Sequence, residues 1–310
     1  MNAVETFSDR DLTESPLRFS EGTPPVRFGI FGDPVAHSLS PVIQNAAFEA
    51  CGIPARYARL HVASPAIRAA VRALPAAGFL GANVTFPHKA AVLAAMDEVD
   101  DYARQAGAVN TISVEGGHLK GFNTDGPGLV RAIREEFSVD LRDLRVILLG
   151  AGGGAGRAIA VQCARESCER LVLVNRTFDK ASQLAKELAP MFRSDRLIGP
   201  ADRLVAIPFE DAALRRQLQL ADLVINATTL GMKRGDPPAL APHLLTANLM
   251  VFDTVYAAGV SRLLEDAAAA GARCANGLGM LLHQGALAFE IWTNRPAPLE
   301  VMRQALHSRT

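Results

Sequence analysis

Apolar positions along the chain fall into two successive rhythms. In the first, a mostly apolar run at residues 27–31 follows Val26 and is closed by Gly32-Asp33-Pro34, which predicts a strand and a turn. Val42, Ile43, Ala46, Ala47 and Ala50 recur at helical spacing over residues 41–51, with Ser40 placed to cap the helix and Pro41 in its first turn. Gly52-Ile53-Pro54 ends that helix. Residues 57–62 alternate as a strand does, residues 65–77 read as helix and residues 81–85 as strand. This βαβαβ order predicts an α/β domain with parallel pairing.

The second rhythm starts near Leu144. An apolar strand at residues 146–149 runs into Gly150-Ala151-Gly152-Gly153-Gly154-Ala155-Gly156. A helix over residues 157–165 and a strand at residues 171–174 follow. Later strands are expected at residues 205–207, Leu223–Asn226 and Met250–Asp253, with helical segments between them. Such alternation is the pattern of a doubly wound sheet. Residues 277–309 read as helix and do not lengthen it. No internal repeat or low-complexity tract is present.

The expected fold is therefore α/β with two domains and a cleft between them. Residues 26–124 and 277–310 form an N-terminal α/β substrate domain, and residues 125–276 form an inserted Rossmann domain. Such a split chain allows hinge closure over a substrate. Residues 1–25 carry Glu5, Asp9, Asp11, Glu14 and Glu21 against Arg10 and Arg18, without an apolar centre. They read as a flexible, solvated extension rather than a signal peptide.

Composition narrows the function. The chain has 310 residues, 49% of them apolar and 21% charged, which supports a substantial core and rules out wholesale disorder. Lys+Arg and Asp+Glu both number 32, for a net charge of +0, whereas a nonspecific nucleic-acid binder carries a basic excess. Only five residues are lysine (Lys89, Lys120, Lys180, Lys186 and Lys233), so a lysine inside a polar motif stands out. Cys51, Cys163, Cys168 and Cys274 form no C-x-x-C, and no Cys/His cluster has zinc spacing; they read as free thiols in a reducing cytoplasm. No apolar run reaches the ~18 residues of a membrane helix.

The loop from Gly150 to Gly156 sits where a dinucleotide fingerprint belongs, between strand and helix. A pyrophosphate must lie against backbone N–H groups at a helix N-terminus, and a Cβ there would hold it away. An NAD site usually has an acid about 20 residues further on. Here the next strand ends Val174-Asn175-Arg176-Thr177, with an arginine and no carboxylate. A guanidinium matches a 2′-phosphate, so NADP(H) is the expected cofactor.

The first domain holds three polar segments at predicted strand ends or turns. They are His37-Ser38-Leu39-Ser40-Pro41, Asn83-Val84-Thr85-Phe86-Pro87-His88-Lys89, and Asn110-Thr111 with Asn123-Thr124-Asp125-Gly126. Gathered beyond the carboxyl ends of strands, they suit a small polyhydroxylated anion. His88 reads as a satisfied, noncatalytic histidine.

These segments, with Phe28-Gly29-Ile30-Phe31-Gly32-Asp33-Pro34, Ala106-Gly107-Ala108-Val109-Asn110-Thr111, Asn175-Arg176-Thr177, Ile225-Asn226-Ala227-Thr228-Thr229-Leu230-Gly231-Met232, Asp253 with Tyr256, and Gly277-Leu278-Gly279-Met280-Leu281-Leu282-His283-Gln284, resemble the shikimate dehydrogenase family over about residues 26–305. The resemblance implies reversible NADPH-dependent reduction of 3-dehydroshikimate to shikimate, in aromatic amino acid biosynthesis. Carried over by position, it implies Ser38, Ser40 and Tyr256 at the substrate carboxylate and Thr85, Asn110 and Gln284 at ring hydroxyls. Lys89 and Asp125 would be the catalytic pair. Gly150, Ala151, Gly152, Gly153, Gly154 and Ala155 would hold the pyrophosphate, and Asn175, Arg176, Thr177 and Lys180 the adenosine end. Thr254 and Gly277 would lie near the nicotinamide.

The chemistry of these types agrees. Hydride transfer to a ketone leaves negative charge on oxygen, which needs a proton donor such as Lys89. A carboxylate beside it raises the lysine pKa, while burial lowers it.

The sequence departs from the family pattern in four places, one of them Phe86 and His88 on either side of Pro87. The glycine loop is one residue longer than Gly-x-Gly-Gly-Ala, leaving its register open by one. The usual Asn-Pro after the site tyrosine is Ala257-Ala258, and a nearby threonine is Ser261.

The main alternative is a quinate/shikimate dehydrogenase using NAD; aminoshikimate dehydrogenase is more distant. A ligand-sensing protein that lost the chemistry would show a broken catalytic pair or an added DNA-binding module, and residues 1–25 are too short and acidic for the latter. Family members occur as monomers and dimers, which leaves a homodimer open.

Overall fold

The computed structural model describes residues 6–13, 17–192, 203–233, 235–256 and 260–308. Its two sheets belong to separate units, Met1–Thr124 with Leu281–Thr310, and Asp125–Met280.

The first unit holds β1 (Thr6–Ser8), β2 (Val26–Gly32), β3 (Arg56–His61), β4 (Gly81–Val84), β5 (Glu98–Val99), β6 (Thr111–Glu115) and β7 (His118–Phe122), in the order β1-β3-β2-β4-β6-β7-β5. The expected parallel pairing covers β1 through β4. It fails at β6, which runs antiparallel to both β4 and β7. The β6–β7 pairing has a local cause: Gly116 and Gly117, at φ +57° and +86°, make a two-residue hairpin turn.

The segment before residue 26 also differs from expectation. β1 pairs in parallel with β3, and Leu12 and Leu17 are buried in the sheet's core with Val26, Leu60 and Val71. Four spaced apolar side chains, Leu12 and Leu17 with Phe7 and Phe19 packed against them, anchor a stretch whose acidic residues suggest a solvated tail.

Helix α1 (Ser40–Ala50) begins one residue earlier than expected, so Ser40 lies inside it; Leu39 is the N-cap and gives no side-chain cap. Helix α2 (Ile67–Ala73) is shorter than its apolar pattern, and α3 (Asp101–Ala106) is capped by Asp100, which accepts from Ala103 N. The sheet is closed by the C-terminal end of the chain. In α9 (Leu278–Thr293), Phe289 packs on Phe48 and Trp292 on Phe28, at ring distances of 5.7 and 5.0 Å. Trp292 Nε1 donates to the Ile112 carbonyl at 2.9 Å, and Gly81 leaves room for the indole. Truncating a fully buried aromatic such as Phe289 typically costs about 3–5 kcal/mol. Helix α10 (Leu299–His307) packs on α1.

The second unit opens with α4 (Asp125–Phe137). Its sheet is β8 (Arg145–Leu149), β9 (Arg170–Asn175), β10 (Leu204–Pro208), β11 (Leu223–Asn226), β12 (Met250–Asp253) and β13 (Arg273–Ala275), all parallel, in the doubly wound order β10-β9-β8-β11-β12-β13. Helices α5 (Gly154–Arg165), α6 (Phe178–Leu188), α7 (Asp211–Leu218) and α8 (Arg262–Ala269) alternate with the strands. Side chains on both faces of β8, β9 and β11 are buried, which is why those strands read as unbroken apolar runs. The division between units falls at Leu281 rather than Gly277. Gly277 is held to the second unit, where its N–H donates to the Val255 carbonyl at 3.3 Å.

Candidate active site

In the first unit the polar segments meet at one edge of the sheet. β2 and β4 end there, β6 begins there and β7 ends there. The loop after β2 carries Ser38, whose carbonyl accepts from Arg59 Nη2 at 2.8 Å and Nε at 3.2 Å. Ser38 Oγ accepts the Ser40 N–H at 3.3 Å. After β4, Thr85 N–H donates to Phe31 O at 2.8 Å, and a Cβ at Gly32 would fall 2.6 Å from the Thr85 methyl. The turn then continues to Lys89, whose carbonyl accepts Val109 N–H at 2.9 Å and so ties it to the segment leading into Asn110. Ser38, Ser40, Thr85, Lys89 and Asn110 are thus brought together. Gln284 sits on α9, half-buried, with Nε2 donating to Leu281 O of its own helix at 2.9 Å.

Asn110 is only 2% exposed, and its amide is engaged inside the unit. Its Oδ1 accepts Thr124 N–H at 2.7 Å, and its Nδ2 donates to Thr124 Oγ1 at 3.0 Å. His88 is buried beside half-buried Lys89. Its Nε2 donates to Val62 O at 2.8 Å while Nδ1 meets no partner among the described residues, and desolvation holds its pKa below 6.5.

In the second unit, Asp125 is buried as the first residue of α4. The glycine loop leaves β8 and enters α5. Gly150 has φ +85°, and a Cβ on it would meet the Ala227 carbonyl at 2.9 Å. A Cβ at Gly152 would meet Lys180 Cβ at 2.7 Å and Asn175 Nδ2 at 2.9 Å. At Gly156 it would overlap the Gly150 carbonyl oxygen, whereas at Gly154 it would meet nothing. Gly156 is therefore the close-packing glycine, and the extra residue is absorbed around Gly153 and Gly154, where the loop is exposed. Beside the loop is a cavity of about 340 Å³ lined in part by Ala151, Gly152, Arg157, Lys180 and Glu187. Arg157 pairs with Glu187 at 2.7 Å and holds its carboxyl below the ordinary value. Asn175 accepts Gly152 N–H at 3.3 Å and donates to Thr177 O at 2.9 Å, so it braces the loop. Arg176, Thr177 and Lys180 are exposed past the end of β9, with no carboxylate at that strand end. This arrangement fits a phosphorylated dinucleotide: bare backbone at a helix N-terminus, then two cations.

Thr254 and Gly277 are in contact, since a Cβ on Gly277 would overlap the Thr254 carbonyl. Tyr256 is half-buried nearby in the chain, its phenol pKa raised by desolvation. Ala257 and Ala258 lie outside the described residues.

Sequence reasoning missed the supports of these loops. Asp253 is fully buried, and its carboxylate accepts Asn226 Nδ2 at 2.8 Å, Ser261 Oγ at 2.5 Å and Val255 N–H at 3.1 Å. Desolvation raises its pKa. Asn226 Oδ1 in turn accepts Thr228 Oγ1 at 2.7 Å. Ser261, one of the departures, keeps the hydroxyl that this network and the cap of α8 require. Asn226 and Asp253 were visible as polar residues ending apolar strands.

A parallel nucleotide-binding sheet joined to a separate α/β unit with a polar strand-end cluster defines a two-domain dehydrogenase. Family models match residues 30–112 (shikimate dehydrogenase substrate binding domain), 131–230 (shikimate / quinate 5-dehydrogenase) and 277–307 (shikimate 5′-dehydrogenase C-terminal domain). Shikimate dehydrogenase (NADP(+)) of Methanopyrus kandleri is 42% identical over 90% of this chain and 93% of its own. That of Symbiobacterium thermophilum is 44% identical over 89% and 92%. The crystal structure of shikimate 5-dehydrogenase from Thermus thermophilus in complex with NADP(H) and shikimate aligns with TM-score 0.79 and 34% identity, covering 91% of this chain and 99% of that one. The chain belongs to the shikimate dehydrogenase family.

Proposed function

We propose that the chain catalyses the reversible NADPH-dependent reduction of 3-dehydroshikimate to shikimate, a step of aromatic amino acid biosynthesis. The observation that carries this is the gathering of Ser38, Ser40, Thr85, Lys89 and Asn110 at one sheet edge, in a chain 42% identical to an NADP-dependent shikimate dehydrogenase. Bound NADPH supplies a hydride to the substrate carbonyl.

Lys89 gives a proton to the oxygen as it takes on negative charge, and takes one back in the reverse direction. Asp125 orients the ammonium. Ser38, Ser40 and Tyr256 hold the carboxylate; Thr85, Asn110 and Gln284 hold ring hydroxyls. Gly150 to Ala155 hold the pyrophosphate, Asn175 to Lys180 the phosphorylated adenosine, and Thr254 and Gly277 the nicotinamide end. The free thiols of all four cysteines agree with a cytoplasmic location.

Replacing the proton donor tests the assignment. Lys89→Ala is expected to lower kcat by at least about 10²-fold, the scale of general acid catalysis, with a much smaller change in KM. A kcat within about tenfold of wild type would remove Lys89 from the chemistry.

A further inference from the structure

Five buried residues of the first unit, none more than 3% exposed, form one hydrogen-bonded chain: Tyr57, Asn83, Thr111, Asn110 and Thr124. Its polarity is fixed from one end. Asn83 Nδ2 donates to the Asn110 carbonyl at 3.0 Å, and a carbonyl can only accept. Asn83 Oδ1 must therefore face Tyr57, whose hydroxyl donates to it at 2.7 Å. Burial raises the Tyr57 pKa well above its ordinary value, so the hydroxyl keeps its proton and holds it on Asn83. On the other side, Asn83 Nδ2 also donates to Thr111 Oγ1 at 3.0 Å, and Thr111 donates to Asn110 Oδ1 at 2.9 Å. Asn110 Nδ2 then reaches Thr124 Oγ1 at 3.0 Å.

Asn110 is assigned above to a ring hydroxyl, and Asn83 joins Tyr57 to it. Tyr57 comes from β3 and Asn83 from β4, strands that flank β2. Tyr57 is fully buried, has no part in the chemistry described, and packs against Trp292 at a ring distance of 6.1 Å.

We propose that Tyr57 is a positioning residue for shikimate: its hydroxyl aligns the Asn83 amide, which holds the Asn110 carbonyl and Thr111 and so sets Asn110 toward the ring hydroxyl. A contact that substrate makes on Asn110 is therefore felt along the network as far as Tyr57. The inference rests on the proposed function and on the role given to Asn110.

Tyr57→Phe removes one oxygen and keeps the packing against Trp292. It leaves Asn83 Oδ1 without its donor, which is costly for a buried group. The expected result is a rise of about tenfold in KM for shikimate, with KM for NADP⁺ within about twofold and kcat within about threefold. The double variant with Asn83→Ala is expected to be no worse than Asn83→Ala alone, because Tyr57 acts through Asn83. A KM for shikimate within about twofold of wild type, or effects that multiply in the double variant, would overturn the proposal; a purely structural tyrosine would lower Tm and give one of those results. A second measurement does not depend on the variant folding. The chain has three tyrosines, Tyr57, Tyr102 and Tyr256, so ¹³Cζ-tyrosine NMR of wild type can be assigned with Tyr102→Phe and Tyr256→Phe. Shikimate is expected to shift the Tyr57 signal, and an unmoved signal at saturation overturns the coupling. Wild type that neither binds nor oxidises shikimate overturns the proposed function and this inference together. Active wild type with an unaffected Tyr57→Phe overturns the inference alone.

Discussion

His88 and Lys89 are neighbours in sequence with opposite environments. His88 donates Nε2 to Val62 O and is desolvated, so its pKa is lowered from 6.5. The unfolded chain thus takes up a proton at higher pH than the folded one. The stability linked to His88 is complete above the ordinary histidine value and is lost as pH falls through that value toward the lower folded one. His88→Gln is expected to flatten the decline of the urea midpoint between about pH 7 and pH 5; an unchanged slope would show that the linkage lies elsewhere. Arg176 is the residue-scale determinant of the cofactor. It is exposed past β9, where its guanidinium matches the charge and geometry of a 2′-phosphate. Arg176→Ala is expected to raise KM for NADP⁺ at least about tenfold and leave weak NAD⁺ turnover unchanged, as loss of a charge-assisted contact should. Equal effects on both cofactors would assign the arginine a structural role. The types and order of the site residues were legible in the sequence, because each ends a strand or opens a turn. The partnership of Tyr57 with Asn83 was not, because it forms across strands 26 residues apart. The burial of Asn110 was hidden for the same reason.

At the scale of elements, the glycine loop shows what spacing leaves open. Five glycines between Gly150 and Gly156 permit more than one register. The fold selects Gly156 for close packing, because a Cβ there would overlap the Gly150 carbonyl, and leaves Gly154 in open space. Gly156→Ala is expected to lose about 1–3 kcal/mol of stability, the usual cost of overpacking, and to weaken NADP⁺ binding. Gly154→Ala is expected to leave both nearly unchanged; urea melts and cofactor titration of the two variants check this, and the reverse ranking would contradict the register. Apolar runs located most strands correctly because β8, β9 and β11 are covered on both faces. Short elements escaped. β13 has three residues, and the β6–β7 hairpin was signalled only by Gly116-Gly117. The cap assigned to Ser40 failed because the helix takes in Ser40 itself and leaves Leu39, which has no capping group, at the N-cap.

Over the whole molecule, the chain makes two units with separate cores, one of them interrupted in sequence by the other. The interruption was legible because the helical residues after 277 cannot extend a parallel sheet. What closes the first sheet was not, since it depends on Trp292 and Phe289 meeting aromatics more than two hundred residues away. At this scale the function is one reaction, hydride transfer between NADP(H) and shikimate. It is tested by the initial rate of nicotinamide reduction by purified protein, with shikimate and quinate each offered with NADP⁺ and with NAD⁺. The kcat/KM for shikimate with NADP⁺ is expected to exceed that of every other pairing. A preference for quinate with NAD⁺, or no turnover in any pairing while NADP(H) still binds, would contradict it.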